Sequence, residues 1–184
     1  MTKINQAFIF AAGRGERMRP FTDDTPKPLA KIGKKTILGH ILDKITEIDS
    51  IQNIVINGHY LAGQICSYIL DLNNPKIQFS YESEKLETGG GLVFADQNNK
   101  IDINKSILLI NGDILWQESD GVNEINNLSN FYQQNDCDIA LGLVKTESLS
   151  GYQGSGDFSI ARGGDLAKDL QENHARSHVF TGLA

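Results

Sequence analysis

Residues 7–12 read AFIFAA and residues 13–15 read GRG, an unbroken apolar run that a glycine cuts off. A strand with one wet face would alternate apolar and polar residues; an unbroken run fits a strand covered on both faces, as in a parallel sheet. The stretch after the glycines cannot be a helix of useful length. Pro20, Pro26 and Pro28 fall within nine residues, and each removes a backbone donor and restrains its predecessor. Residues 13–30 are therefore expected to form one long loop, a length that in compact domains usually accompanies function.

Outward from that stretch, apolar and polar runs alternate with two different periods. Ile37, Leu38, Ile41, Leu42, Ile45 and Ile48 recur at three and four spacing, which predicts a helix over 36–48 with one buried stripe. Residues 53–58 (NIVING) read as a strand, 61–72 as a helix stopped by Asn73, Asn74 and Pro75, and 77–81 as a strand. A helix is expected from 90 to 97 after a glycine-rich loop, a strand over 106–110 running into Asn111-Gly112-Asp113, a helix over 123–134 and a strand over 138–144. Weaker strand signals lie at 157–161 and 179–183. Strands alternating with helices predict an α/β, three-layer αβα architecture on a mixed, mostly parallel sheet. Ligands of such sheets bind outside the carboxyl ends of the strands, where both unusual loops begin.

The 184 residues are 40% hydrophobic and 22% charged, ordinary for one globular domain, with a formal charge of −6. That balance argues against a nucleic-acid binder, which ordinarily presents a basic surface. Residues 14–35 run against it, with seven cations and three carboxylates for a net +4, so an anion is the expected visitor there. Cys66 and Cys137 stand far apart without a metal-binding spacing. No apolar stretch approaches the ~20 residues of a membrane span or the core of a signal peptide, so the expectation is a cytoplasmic protein that does not meet a membrane. The sequence is silent on oligomeric state.

Gly13-x-Gly15 after a buried strand lets backbone amides approach phosphate oxygens. It is not a dinucleotide fingerprint, since Met18 stands where the third glycine belongs and Pro20 halts the following helix; nor does it end in the Gly-Lys-Ser/Thr of a P-loop. The longer stretch AAGRGERMRPFTDDTPKPL closely resembles the signature of the sugar-1-phosphate nucleotidyltransferases, A-A-G-x-G-x-R-[LM]-x-P followed by T-x-x-x-P-K-P-[LM]. Every fixed position is met, from Ala11, Ala12, Gly13, Gly15, Arg17, Met18 and Pro20 through Thr22, Pro26, Lys27, Pro28 and Leu29.

The resemblance implies a Rossmann-like nucleotide-diphospho-sugar transferase fold and a Mg²⁺-dependent reaction that joins a nucleoside monophosphate to a sugar-1-phosphate, releasing pyrophosphate. It gives Arg17 and Lys27 the neutralisation of the reacting phosphates, places Ala11, Ala12, Gly13 and Gly15 against the nucleotide, and makes Asp113 the Mg²⁺ ligand. Glu87-Thr88-Gly89-Gly90-Gly91 matches the segment with which related uridylyltransferases read the base, so Thr88 and Gly89 are the expected base contacts, with UTP favoured and dTTP the other option. The E-T-G-G-G form is most similar to the branch containing N-acetylmuramate-1-phosphate uridylyltransferases of cell-wall recycling. Glu172 lies near where relatives place an acidic sugar contact. Family members continue past the equivalent of Thr181-Gly182 to a second metal-binding aspartate and closing helices. A single domain over 1–184 without its C-terminal strand and helices is therefore expected, and two alternatives accompany the enzymatic reading: a nucleotide-binding remnant with little catalysis, and a dinucleotide-dependent oxidoreductase.

Overall fold

The computed structural model describes residues 4–116, 123–160 and 176–184. Its contacts cluster into two compact units, Met1–Gly121 and Val122–Ala184.

In the first unit the apolar run folds as strand β1 (Gln6–Phe10). Three short 3-10 helices, Glu16–Met18, Phe21–Asp23 and Lys27–Leu29, punctuate the long loop after it. A small antiparallel ribbon, β2 (Lys31–Ile32) and β3 (Lys35–Thr36), leads to helix α1 (Ile37–Thr46). The Thr36 side chain caps α1 by accepting from the Gly39 amide at 2.9 Å, satisfying one of the donors a helix start leaves unpaired. Then come β4 (Asn53–Gly58), α2 (Ala62–Leu72), β5 (Ile77–Tyr81), α3 (Glu87–Gln97) and β6 (Leu108–Asn111).

The sheet order is β5-β4-β1-β6 with every neighbour parallel. The chain thus steps outward from β1 to β4 and β5, then returns across β1 to β6. Right-handed crossovers in opposite directions put α1 and α2 on one face and α3 on the other. The packing agrees: Phe8, Phe10, Val55 and Leu109, alternate residues of three strands, pack with Leu92 and Ala95 of α3. Ile9, Ile54, Ile56 and Ile110 alternate with them, point to the other face, and are fully buried. Burial on both faces is why β1 reads as an unbroken apolar run.

One expectation needs correction. The glycine-rich segment at 87–91 is not a loop ahead of a helix; α3 already starts at Glu87, so Thr88 and Gly89 sit in its first turn. Glycine disfavours a helix by ~1 kcal/mol per residue, but α3 buries Ala95 and packs the partly buried Leu92 on the sheet, and packing overrides that propensity.

The second unit holds α4 (Glu124–Gln134) and an antiparallel pair, β7 (Leu143–Lys145) with β8 (His178–Phe180). The strand expected over 138–144 is thus shorter and shifted. Of the stretch 157–161, Phe158 makes an isolated bridge to His178. Gly142 and Leu183 close the pair through an amide-to-carbonyl bond of 2.8 Å. No helix among the described residues is long and apolar enough to cross a membrane.

Candidate active site

The return from β5 to β6 makes β1 and β6 the two strands whose following loops diverge, which in open α/β sheets opens a crevice at their carboxyl ends. Here β1 delivers the glycine loop and β6 delivers Asp113. The two strand ends are drawn together at Gly112, whose amide donates to the Phe10 carbonyl at 2.9 Å. A Cβ on Gly112 would lie 2.6 Å from that same oxygen, so only glycine permits the approach that sets Asp113 at the rim.

The loop after β1 is held by its own residues, by Tyr60 ahead of α2 and by Gln64 of α2. Gly15 has φ +64°, the left-handed conformation that favours glycine, and its carbonyl accepts from the buried Thr22 hydroxyl at 2.9 Å. The Tyr60 hydroxyl lies 3.0 Å from the carbonyls of Thr22 and Asp23, and Gln64 donates to the Asp24 carbonyl at 2.9 Å. Arg14 stands 6.0 Å from the Tyr60 ring centroid, at the outer reach of a cation–π contact. Further on, Pro26 and Pro28 are buried while Lys27 between them is half-exposed. The prolines anchor the turn and aim the lysine outward.

Lys27 Nζ donates to Asp113 Oδ2, so the cation of the loop and the carboxylate of the β6 end meet directly. A cleft of about 390 Å³ is lined by Gly13, Gly15, Arg17, Lys27 and Asp113, with Ala11, Arg14, Glu16 and Lys85 also on its wall. Four cations face two carboxylates there, the basic balance expected of an anion site. Arg17 forms no ion pair among the described residues. A second hollow of about 290 Å³ shares Gly13, Lys85 and Asp113 and extends to Ala12, Asn57, Thr88 and Asn111.

The structure thus brings together Arg17, Lys27, Asp113 and the glycine loop, with Thr88 on the adjoining hollow. Gly89 is exposed beside Thr88 and outside the residues that line either cavity. Ala11 lines the cleft, but its amide donates to Asn57 Oδ1 at 2.7 Å, so a ligand meets its surface rather than its N–H. Glu172 lies outside the described residues.

Three residues escaped the sequence reading. Lys85 borders both cavities and pairs with Glu87 at 2.7 Å; it lies outside the basic stretch 14–35, among Glu82, Glu84 and Glu87. Asn57 and Glu82 are buried at the carboxyl ends of β4 and β5, 2% and 1% exposed. For Asn57 the available signal was a polar residue directly after the apolar run 54–56 of its strand.

For a divalent cation the donor set is sparse: among the described residues no three His, Cys, Asp or Glu cluster. One carboxylate suits Mg²⁺ nonetheless, because that ion completes its shell with phosphate oxygens and water.

A nucleotidyl transferase family model matches residues 6–154. The N-acetylmuramate alpha-1-phosphate uridylyltransferase of Caulobacter vibrioides is 29% identical over 182 residues, covering 96% of this chain and 73% of that protein. The bifunctional protein GlmU of Methanocaldococcus jannaschii is 37% identical over 112 residues, 61% of this chain but 26% of its own length. Among solved structures, HddC from Yersinia pseudotuberculosis complexed with GMP-PN superposes with a TM-score of 0.67 at 22% identity, covering 98% of this chain and 75% of that one, which establishes the shared fold.

Proposed function

Because the chain belongs to the nucleotidyl transferase family, we propose that its cleft transfers UMP from UTP to a sugar-1-phosphate, giving a UDP-sugar and pyrophosphate. The observation that carries this reading is the convergence of Arg17, Lys27 and Asp113 on one cleft beside the glycine loop. An oxygen of the sugar phosphate forms a bond to the α-phosphorus, while the bond from that phosphorus to the bridging oxygen breaks and pyrophosphate leaves. The nucleophile is already an anion, so the step needs no general base.

What the reaction does need is two polyanions held in contact, and that falls to the cations. Lys27 has three donors, enough to keep Asp113 and receive a phosphate oxygen together. Arg17 offers a planar fork matched to phosphate. Fixed charges aimed at a reacting phosphoryl group act chiefly by position and electrostatics. Asp113 would hold Mg²⁺, which supplies charge neutralisation across the phosphates when bound. Thr88, at the start of α3, faces the hollow next to the cleft, a place for the base. UTP and an amino-sugar acceptor are favoured by the name of the Caulobacter relative.

The test is pyrophosphate release from UTP, dTTP, CTP or GTP, each with glucose-1-phosphate, N-acetylglucosamine-1-phosphate or N-acetylmuramate-1-phosphate, with and without Mg²⁺. Turnover with UTP that vanishes on chelation, and in Lys27→Ala, is the expected result. Silence across the whole panel despite UTP binding by calorimetry would instead favour a non-catalytic nucleotide binder.

A further inference from the structure

The buried carboxylate of Glu82 has no role in the chemistry above, yet it joins the two walls of the cleft. Its Oε1 accepts from Asn57 Nδ2 at 2.7 Å, and its Oε2 lies 3.4 Å from the Leu86 amide just before α3. Asn57 in turn accepts from the Ala11 amide at 2.7 Å. The chain of contacts runs from the first residue after β1, through the end of β4, to the start of α3. Helix α3 lies flush against it, for a Cβ on Gly91 would sit 2.7 Å from Glu82 Oε1 and 2.9 Å from Asn57 Nδ2.

Burying a carboxylate without a cation is costly, and Glu82 has no ion-pair partner among the described residues. A well-packed apolar pair would stabilise the same space more simply. The polar pair does something an apolar one cannot: it fixes direction. A carboxylate only accepts, so Asn57 must turn its NH₂ toward Glu82, which leaves its carbonyl oxygen for Ala11.

We propose that Asn57 and Glu82 are positioning residues, a buried hydrogen-bonded strut that sets the glycine loop in register with the first turn of α3 so that one nucleotide can engage both. The proposal rests on the nucleotide-binding reading of the cleft. Glu82 lines neither cavity, and Asn57, which borders the hollow beside the cleft, has its amide oxygen engaged by Ala11 and its NH₂ by Glu82, so both act by holding the elements around them. Small displacements matter here, because a shift of about 1 Å at a reacting centre can cost about a hundredfold in rate.

The polarity of the strut supplies its test. Asn57→Asp sets two buried carboxylates against each other, whereas Asn57→Asp combined with Glu82→Gln rebuilds the strut reversed. In that double variant the carboxylate introduced on β4 accepts from the Ala11 amide and from the glutamine NH₂, and the glutamine oxygen faces the Leu86 amide. Binding of UTP with Mg²⁺ is measured by calorimetry well below each variant's melting temperature, alongside thermal melting and kcat and KM for UTP. The single variant is expected to weaken UTP binding about tenfold or more, the equivalent of one buried hydrogen bond, and the double variant to return within about threefold of wild type. If the single variant does not fold, the double variant still decides the matter by folding and binding. Melting temperatures that fall while UTP affinity holds would make the strut merely structural, and a double variant that fails to fold or to recover affinity would overturn its polarity. Wild-type protein that binds no nucleoside triphosphate would remove the cleft reading itself, and the strut's purpose with it.

Discussion

The two ends of the four-stranded sheet are both polar and both hollowed, yet they use polarity in opposite ways. At the amino end, around a hollow of about 460 Å³, side chains are consumed by the backbone. Gln6, 4% exposed, donates to the Asp102 carbonyl at 2.7 Å and accepts from the Asp102 amide at 3.0 Å. Asn53 donates to the Lys100 carbonyl at 2.6 Å, and Gln78 donates to Asn53 at 2.9 Å. At the carboxyl end the balance is an excess of cations, with Arg17 outside any ion pair among the described residues. Polarity satisfied within the fold holds elements together, and polarity left over is available to a ligand.

The sharpest way to break that distinction is to remove one carboxylate at each end. On the proposed reaction, Asp113→Asn should lower pyrophosphate release by about 10²–10³-fold, the usual scale for losing one electrostatic contact to a reacting phosphate, while Asp102→Asn should leave turnover within about twofold. Equal losses from both would erase the contrast. Gly112→Ala comes next. Its Cβ would meet the Phe10 carbonyl at 2.6 Å, so β1 and β6 must part at their carboxyl ends, at about 1–3 kcal/mol of overpacking. Denaturant melts should show that loss, and turnover should fall with it because Asp113 moves.

How legible each end was in the sequence obeys the same division. The parallel sheet, α1 and α2 and the loop over residues 13–30 were readable because burial on both faces, a 3.6-residue period and clustered prolines act locally. Arg17, Lys27 and Asp113 were readable because a linear pattern carries them. The strut was not: Asn57 and Glu82 are 25 residues apart, and their pairing exists only once β4 and β5 lie side by side. The helical state of Thr88 and Gly89 was hidden for a related reason, since three glycines argue locally against a helix that packing on Phe8 and Val55 imposes.

Gln6→Ala sharpens the amino-end half of the comparison. Two backbone groups of Asp102 would lose their partner in a part-buried setting, at about 1–3 kcal/mol. The loss should register in denaturant melts while UTP affinity of the folded protein stays as in wild type. A matching fall in affinity would mean that the two ends communicate through β1.

The smallest effect concerns Asp102 itself and is read against pH. The Lys105 ammonium and then the Asn104 amide hold its carboxyl below the usual carboxylate range. A depressed folded-state pKa means the ionised form favours the fold. That contribution is fully present above the unfolded-state pKa, near 4 for aspartate, and is lost as pH falls through the lower folded-state value. Asp102 is solvent-facing, so screening keeps the effect small. Comparing melting temperatures of wild type and Asp102→Asn from neutral pH down to acid, the gap should be steady at neutral pH and close only on the acid side. A gap that opened as pH fell would reverse the sign and show that the Asp102 carboxylate is not satisfied by its neighbours.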